Sequence, residues 1–436
     1  MHIDMIKENE RFLFNFAFYN NLAQKVEFTA PIYLPTPDLE DALLTIRETW
    51  YDIAMSKTFT ERVEGDDEEF LANIRRLAQA GRNLWVKLFQ LDSDSSMHKV
   101  GKWLEDNPLQ KGAIIQVSLA DNATDFVFPW ALIYDRKVPK KHYELPDPEG
   151  FWGLRYCIEQ QLSNQNKGTD KPVQIQDKLR VGFMLWAQFR NADEQKVLME
   201  NWTQRNPDKL EITIPPITDA DDCSALLDDC DAHILYFYTH GYTRNRQADI
   251  GVGENLQLFT NRYEKLQEDD PRHELWKFLY DSVKQDKFEP NRSWIELTYG
   301  RLYLDELYDN IESKFSSEPL VFLNMCESAQ ITPSLSQSFI HFFIERGAKG
   351  VIGTECPMTV EFAHPFSEKF LGDLLAGETV GNALLNARSH FMKLKNPLGL
   401  AYTLFGSATT CFQPAILKPL TMPATTNVST ESSSDP

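Results

Sequence analysis

Two apolar segments of this chain end on residue types that perform acyl transfer. Residues 318–328 read EPLVFLNMCES, with Leu320, Val321, Phe322 and Leu323 unbroken before Cys326. Residues 232–241 read AHILYFYTHG, with an apolar run from Ile234 to Tyr238 before Thr239, His240 and Gly241. Short apolar runs bounded by polar residues read as strands buried on both faces. A thiol and an imidazole therefore stand at the carboxyl ends of two core strands, where open α/β sheets collect their chemistry. Cys326 is the candidate nucleophile and His240 the candidate base, taking the thiol proton and returning it to a leaving amine. Gly241 lacks a Cβ, so its amide can approach a substrate carbonyl closely. That amide and the amide of Cys326 could face a developing oxyanion. Taken alone, either residue is more often core than catalytic, because free cysteine is among the most buried residue types. The joint pattern carries the chemical reading.

The elements that must position these residues alternate between strand and helix patterns. In the second half, a first strand is expected at 179–186, a helix at 192–206, a strand at 210–214 and a helix at 219–229. After Cys326, Thr332 and Pro333 open a helix through Arg346, whose amino end would help to lower the thiol pKa if it points at the sulfur. A strand at 349–353 and helices at 359–375 and 380–395 complete this half. In the first half, residues 1–10 read as a loose terminus. Strands are expected at 12–19, 26–34, 112–119 and 156–162, and helices at 38–56 and 68–90, the second broken by Gly81. A polar linker at 163–176 separates the halves. The expected organisation is an α/β fold in three layers around a mostly parallel sheet. Its parts are a non-catalytic amino-terminal half at 1–165, a catalytic half at 177–416 with an insertion at about 244–291, and a disordered Ser/Thr/Pro tail at 418–436.

The 436 residues include 42% hydrophobic and 25% charged, ordinary for a globular chain, but the net charge is −20. So acidic a chain does not suit nonspecific binding to nucleic acid or anionic membrane, which needs a basic patch. Six cysteines without a CxxC or zinc-ligand spacing point to a reducing compartment and to no metal. No signal peptide or membrane-spanning run is evident, so the cytoplasm is the expected location.

The two core segments, HILYFYTHG and EPLVFLNMCESAQ, resemble those of the CHAT family of caspase-like cysteine peptidases. FIERGAKGVIGTECPMT, LGDLLAGETVGNALLNAR and NPLGLAYTLFGSATT resemble later family segments, and FVFPWALIYD and FWGLRYCIEQ earlier ones. The resemblance runs over roughly 25–412 and implies a caspase-like fold with a His240–Cys326 dyad and no third catalytic residue. It implies a peptidase acting through an acyl-enzyme, without metal or cofactor. It also implies a bacterial signalling or defence setting, with a separate protein as activator. In such enzymes the specificity pocket is walled by the loop after the first strand and by the residue two before the cysteine. Those are residues 188–190 and Asn324 here. Arg190 would then suit an acidic substrate residue and Asn324 could offer its amide. Glu355 and Cys356 replace an apolar residue and a tryptophan of the family pattern, and Glu355 would suit a basic substrate residue. The insertion at 244–291 would cap or gate the cleft. Two alternatives stand beside this reading: a scaffold or interaction module with a silent dyad, and an acyl hydrolase acting on a small molecule.

Overall fold

The computed structural model describes residues 1–8, 11–19, 25–28, 34–35, parts of 42–54, 56–90, 96–120, 128–162, 172–242, 292–325, 339–356 and 358–416. The expected insertion at 244–291, the tail at 418–436 and the start of the helix after Cys326 lie outside these residues.

A single sheet runs through both halves. From one edge its order is Leu210–Ile212, Leu179–Leu185, Ile234–Tyr242, Leu320–Met325, Gly350–Thr354, Tyr402–Gly406, Cys157–Leu162, Ile114–Leu119, His2–Glu8, Arg11–Tyr19 and Lys25–Phe28. The first five strands are mutually parallel, and Tyr402–Gly406 runs against them. This last strand then joins the amino-terminal half in parallel, through Phe405 beside Gln160.

Alternate residues of the central strands enter different cores, as a period of two requires. Tyr236, Tyr238 and Phe322 pack with helices Ala192–Arg205, Val360–Leu375 and Val380–Lys393. Leu235, Phe237, Val321 and Leu323 pack with helices Ala220–Asp228, Leu304–Asn310 and Phe339–Glu345. The fold is thus an α/β sandwich with helices on both faces of a mixed sheet. Helix starts follow their caps: Asp219 accepts from the amides of Asp221 and Asp222, and Thr379 from that of Asn382.

Three expectations are corrected. Residues 1–10 are not a loose terminus, since His2–Glu8 is a strand between Ile114–Leu119 and Arg11–Tyr19. The cause is legible in HIDMI, where Ile3 and Met5 alternate with polar residues and are fully buried. Gly81 does not break its helix, which runs unbroken over Asp67–Phe89. A Cβ on Gly81 would lie 2.0 Å from the Leu132 carbonyl oxygen, so glycine there permits close packing against the turn Trp130–Leu132. The expected linker is partly structured, because Val173–Gln174 pairs with Phe412–Gln413.

Candidate active site

The histidine strand is longer than its apolar run. Up to Tyr238 its edge pairs with Leu179–Leu185, and from His240 to Tyr242 it pairs with the antiparallel strand Trp294–Glu296. The exchange of partners carries the strand past Gly241, so His240 lies within the ladder rather than at its end. On the other edge the strand pairs in parallel with Leu320–Met325, in register from Ile234 beside Leu320 to Thr239 beside Met325. Cys326 lies outside the described residues, and its amide with it. The two strands are therefore level at the residues that directly precede His240 and Cys326.

His240 is 6% exposed. Trp186 meets it edge to face, with ring centroids 4.3 Å apart and planes at 70°. Phe189 does so from 4.6 Å at 61°. Both lie on the turn that follows the first strand. The Trp186 amide donates to Tyr238 O at 3.0 Å, and the Tyr238 hydroxyl donates to Asn191 Oδ1 at 2.8 Å. Asn191 Nδ2 donates in turn to Val360 O at 2.7 Å, tying the turn to helix Val360–Leu375. Directly across the antiparallel ladder from His240 stands Glu296, itself opposite Arg301. Arg301 Nε reaches Glu296 Oε2 at 2.6 Å, with only 11% and 16% of the two side chains exposed. The Arg301 guanidinium lies over the Trp294 ring, 4.8 Å from its centroid.

Gly241 pairs with Ile295, and a Cβ there would lie 2.2 Å from Met325 Sδ. Packing between the two central strands thus asks for glycine independently of any oxyanion. Asn324 is fully buried. Its Nδ2 donates to Tyr236 Oη at 3.2 Å and to Ala363 O at 2.9 Å, and its Oδ1 accepts from the Tyr402 hydroxyl at 2.6 Å. Arg190, half exposed, forms an ion pair with Glu361 and donates to Thr60 O at 2.5 Å. Glu355 accepts from the Thr403 hydroxyl, and its amide donates to Ala401 O at 2.8 Å. Of the expected specificity residues, Asn324 is thus committed to the core, while Arg190 and Glu355 are held by neighbours inside the fold.

The five described cysteines, Cys157, Cys223, Cys230, Cys356 and Cys411, are buried and unbridged. Burial pushes every one of these thiols up, away from the reactive thiolate. His233, directly before the histidine strand, accepts from the Arg180 amide through Nδ1 at 3.0 Å, as a structural histidine does. Among the described residues no three His, Cys, Asp or Glu side chains gather as a metal site, and no helix is long and apolar enough to cross a membrane.

Sequence reasoning named His240 and placed residues 188–190 in a pocket wall, but missed Trp186, the contact of Phe189 with the imidazole, and the Glu296–Arg301 pair. The segment LRVGFMLWAQF does put two aromatic residues just after a buried strand. SWIELTYGRLY offers a Glu and an Arg astride a turn at Gly300, the one local signal for a hairpin ion pair.

Residues 192–401 match the CHAT domain family. A protein named as a probable protease from Vitiosangium sp. (strain GDMCC 1.1324) is 32% identical over 169 residues, which are 36% of this chain and 22% of that protein. The chain therefore spans about a fifth of that relative's length. Among solved structures, the Saccharomyces cerevisiae separase–securin complex is similar at a TM-score of 0.42 and 10% identity, over 93% of this chain and 30% of the separase chain. The Arg-specific cysteine proteinase gingipain R is similar at a TM-score of 0.34 and 8% identity, over 82% of this chain and 80% of its own.

Proposed function

We propose that this chain, which carries a CHAT domain and belongs to that family of caspase-like cysteine peptidases, is a cysteine endopeptidase working through His240 and Cys326. The observation that carries the reading is the parallel register Thr239 beside Met325, directly before the two residues. The burial of the five described thiols supports it. In the proposed reaction His240 takes the Cys326 proton and the thiolate attacks the scissile carbonyl carbon. The Gly241 and Cys326 amides receive the oxyanion. The imidazolium then protonates the leaving amine as the C–N bond breaks, leaving a thioester. Water, deprotonated by His240, attacks the thioester; the acid product departs and the proton returns to the sulfur. Trp186 and Phe189 hold the imidazole edge-on and exclude bulk water from its flanks.

The family resemblance carries two further parts of the proposal: a protein substrate, and activation by a separate protein in a bacterial signalling or defence system. The unbridged thiols support a reducing cytoplasm as the setting.

The test is intact-mass spectrometry after incubation with a peptidyl acyloxymethyl ketone library, for wild type and Cys326→Ala, each with and without lysate of the native host. A single adduct on wild type alone is expected, mapping to Cys326. An adduct that survives in Cys326→Ala would remove the dyad. No adduct under any condition would favour a silent scaffold.

A further inference from the structure

We propose that Glu296, anchored by Arg301, is the positioning residue for the His240 imidazole and holds its protonated form. The inference rests on the proposed dyad for its catalytic meaning, but its geometry is independent of Cys326. Residues directly opposite on an antiparallel pair project from the same face, with Cβ atoms about 5 Å apart. His240 and Glu296 are such a pair, and Glu296 and Arg301 are the next. The three side chains thus form a row of imidazole, carboxylate and guanidinium across three strands.

The row is built rather than incidental. A carboxylate with 16% exposure is costly to bury unless a cation meets it, and Arg301 does so at 2.6 Å while stacking over Trp294. That clamp fixes the carboxylate one strand away from the imidazole. On its other sides the imidazole meets Trp186 and Phe189, whose rings carry no formal charge. Burial among aromatic rings favours the neutral imidazole. A cysteine dyad needs the opposite, an imidazolium that persists beside the thiolate. Near the turn, Arg190 pairs with Glu361, and Asp193 and Glu194 stand in the first turn of the helix Ala192–Arg205 that follows it. Of these carboxylates, Glu296 is the one directly opposite His240 on the ladder, placed to offset its desolvation. Arg301, one strand further off, keeps Glu296 ionised and in place at the cost of part of its field.

The first measurement is the His240 titration by NMR of histidine 13Cε1-labelled protein in a Cys326→Ala background. Glu296→Gln is expected to lower the His240 pKa by about one unit, the scale set by an opposite charge at this range. Glu296→Asp, which keeps the charge, should retain more than half of the wild-type value's elevation over the Gln variant. The double variant Glu296→Gln/Arg301→Gln removes both charges, so that no orphaned guanidinium contributes. It should shift in the same direction by a smaller amount. An unchanged titration in the double variant would overturn the inference, even if the single variant fails to fold. The second measurement follows iodoacetamide alkylation of Cys326 against pH in the native-cysteine protein. Wild type should show a reactive shoulder below pH 7 that disappears in His240→Ala. In Glu296→Gln the upper inflection of that shoulder should fall by the shift seen in NMR. A normal shoulder in Glu296→Gln would overturn the positioning role and leave the dyad standing. A wild type with no His240-dependent shoulder would overturn the dyad, and this role with it.

Discussion

Thr239 and Met325 are register partners on adjacent parallel strands, the last pair of a ladder that starts with Ile234 beside Leu320. Side chains in a strand alternate between faces, so a slip of one residue would turn every inward side chain outward. Tyr236 and Phe322 stack at 5.3 Å within this ladder, and Tyr236 also stacks on Phe183 of the first strand at 5.5 Å. The aromatic layer fixes the register, and the register sets the level at which the two strands reach His240 and Cys326.

Asn324 is expected to matter for stability rather than for substrate choice. Asn324→Ala would strip a buried partner from Tyr236, Ala363 and Tyr402 together. Each unsatisfied buried group costs about 1–3 kcal/mol, so a loss of roughly 3 kcal/mol or more is expected. Urea unfolding measures it. An unchanged midpoint with an altered preference among peptidyl probes would instead return Asn324 to the specificity pocket.

Gly241 has two demands on it, and they separate experimentally. A Cβ there would strike the Met325 sulfur, the far part of a flexible side chain, while an alanine would retain the backbone amide. Gly241→Ala is therefore expected to slow probe labelling of Cys326 about tenfold by displacing the neighbouring strand end, on the scale of 1–2 kcal/mol for overpacking. Adding Met325→Ala should restore most of the rate. A double variant as slow as the single one would show that close approach to a Cβ-free amide, rather than the space facing Met325, is what the site requires.

Arg190 couples the turn behind His240 to the amino-terminal half. It meets Glu361 at the start of one helix and the Thr60 carbonyl of helix Lys57–Glu61. Burial raises the Glu361 carboxyl above its ordinary value, and Arg190 offsets part of that rise. A raised carboxyl pKa favours the native state below the unfolded value, and this contribution is lost as pH rises through the folded value. Arg190→Ala raises it further, so the variant should be hurt more at pH 7.5 than at pH 4.5. A difference of about 1 kcal/mol is expected, given the exposure of the guanidinium. Chemical unfolding at the two pH values checks it, and an equal loss at both would exclude the linkage with Glu361.

The carboxyl-terminal half was legible because its strands are continuous apolar runs and its helices carry clear caps, as at Asp219 and Thr379. The amino-terminal strand was missed because HIDMI is short and polar at alternate positions, and only pairing on both edges makes it a strand. Gly81 misled for a related reason: its role is set by Leu132, distant in sequence. The site divides the same way. His240 announced itself at the end of an apolar run, whereas Glu296 acquires meaning only from the hairpin that sets it opposite His240. Long-range pairing is not written in local periodicity, and these residues depend on it.

His233, directly before the histidine strand, gives an acid limb to stability. Its Nδ1 accepts from the Arg180 amide at 3.0 Å, which requires that nitrogen to be unprotonated. Burial lowers its pKa, and the Arg180 charge lowers it further, against a smaller opposing effect of Asp231. Burial likewise lowers His364 and His390. A histidine held below its unfolded value of about 6.5 binds more protons in the unfolded chain. Its contribution is present above that pH and is lost as pH falls through the folded value. Wild type should therefore lose stability between pH 7 and pH 5. His233→Leu removes one titrating group but orphans the Arg180 amide, so it should be less stable than wild type at pH 7.5 and lose less on acidification. Denaturant midpoints across this range decide the matter: parallel pH profiles for the two proteins would show that His233 is protonated alike in the folded and unfolded chains.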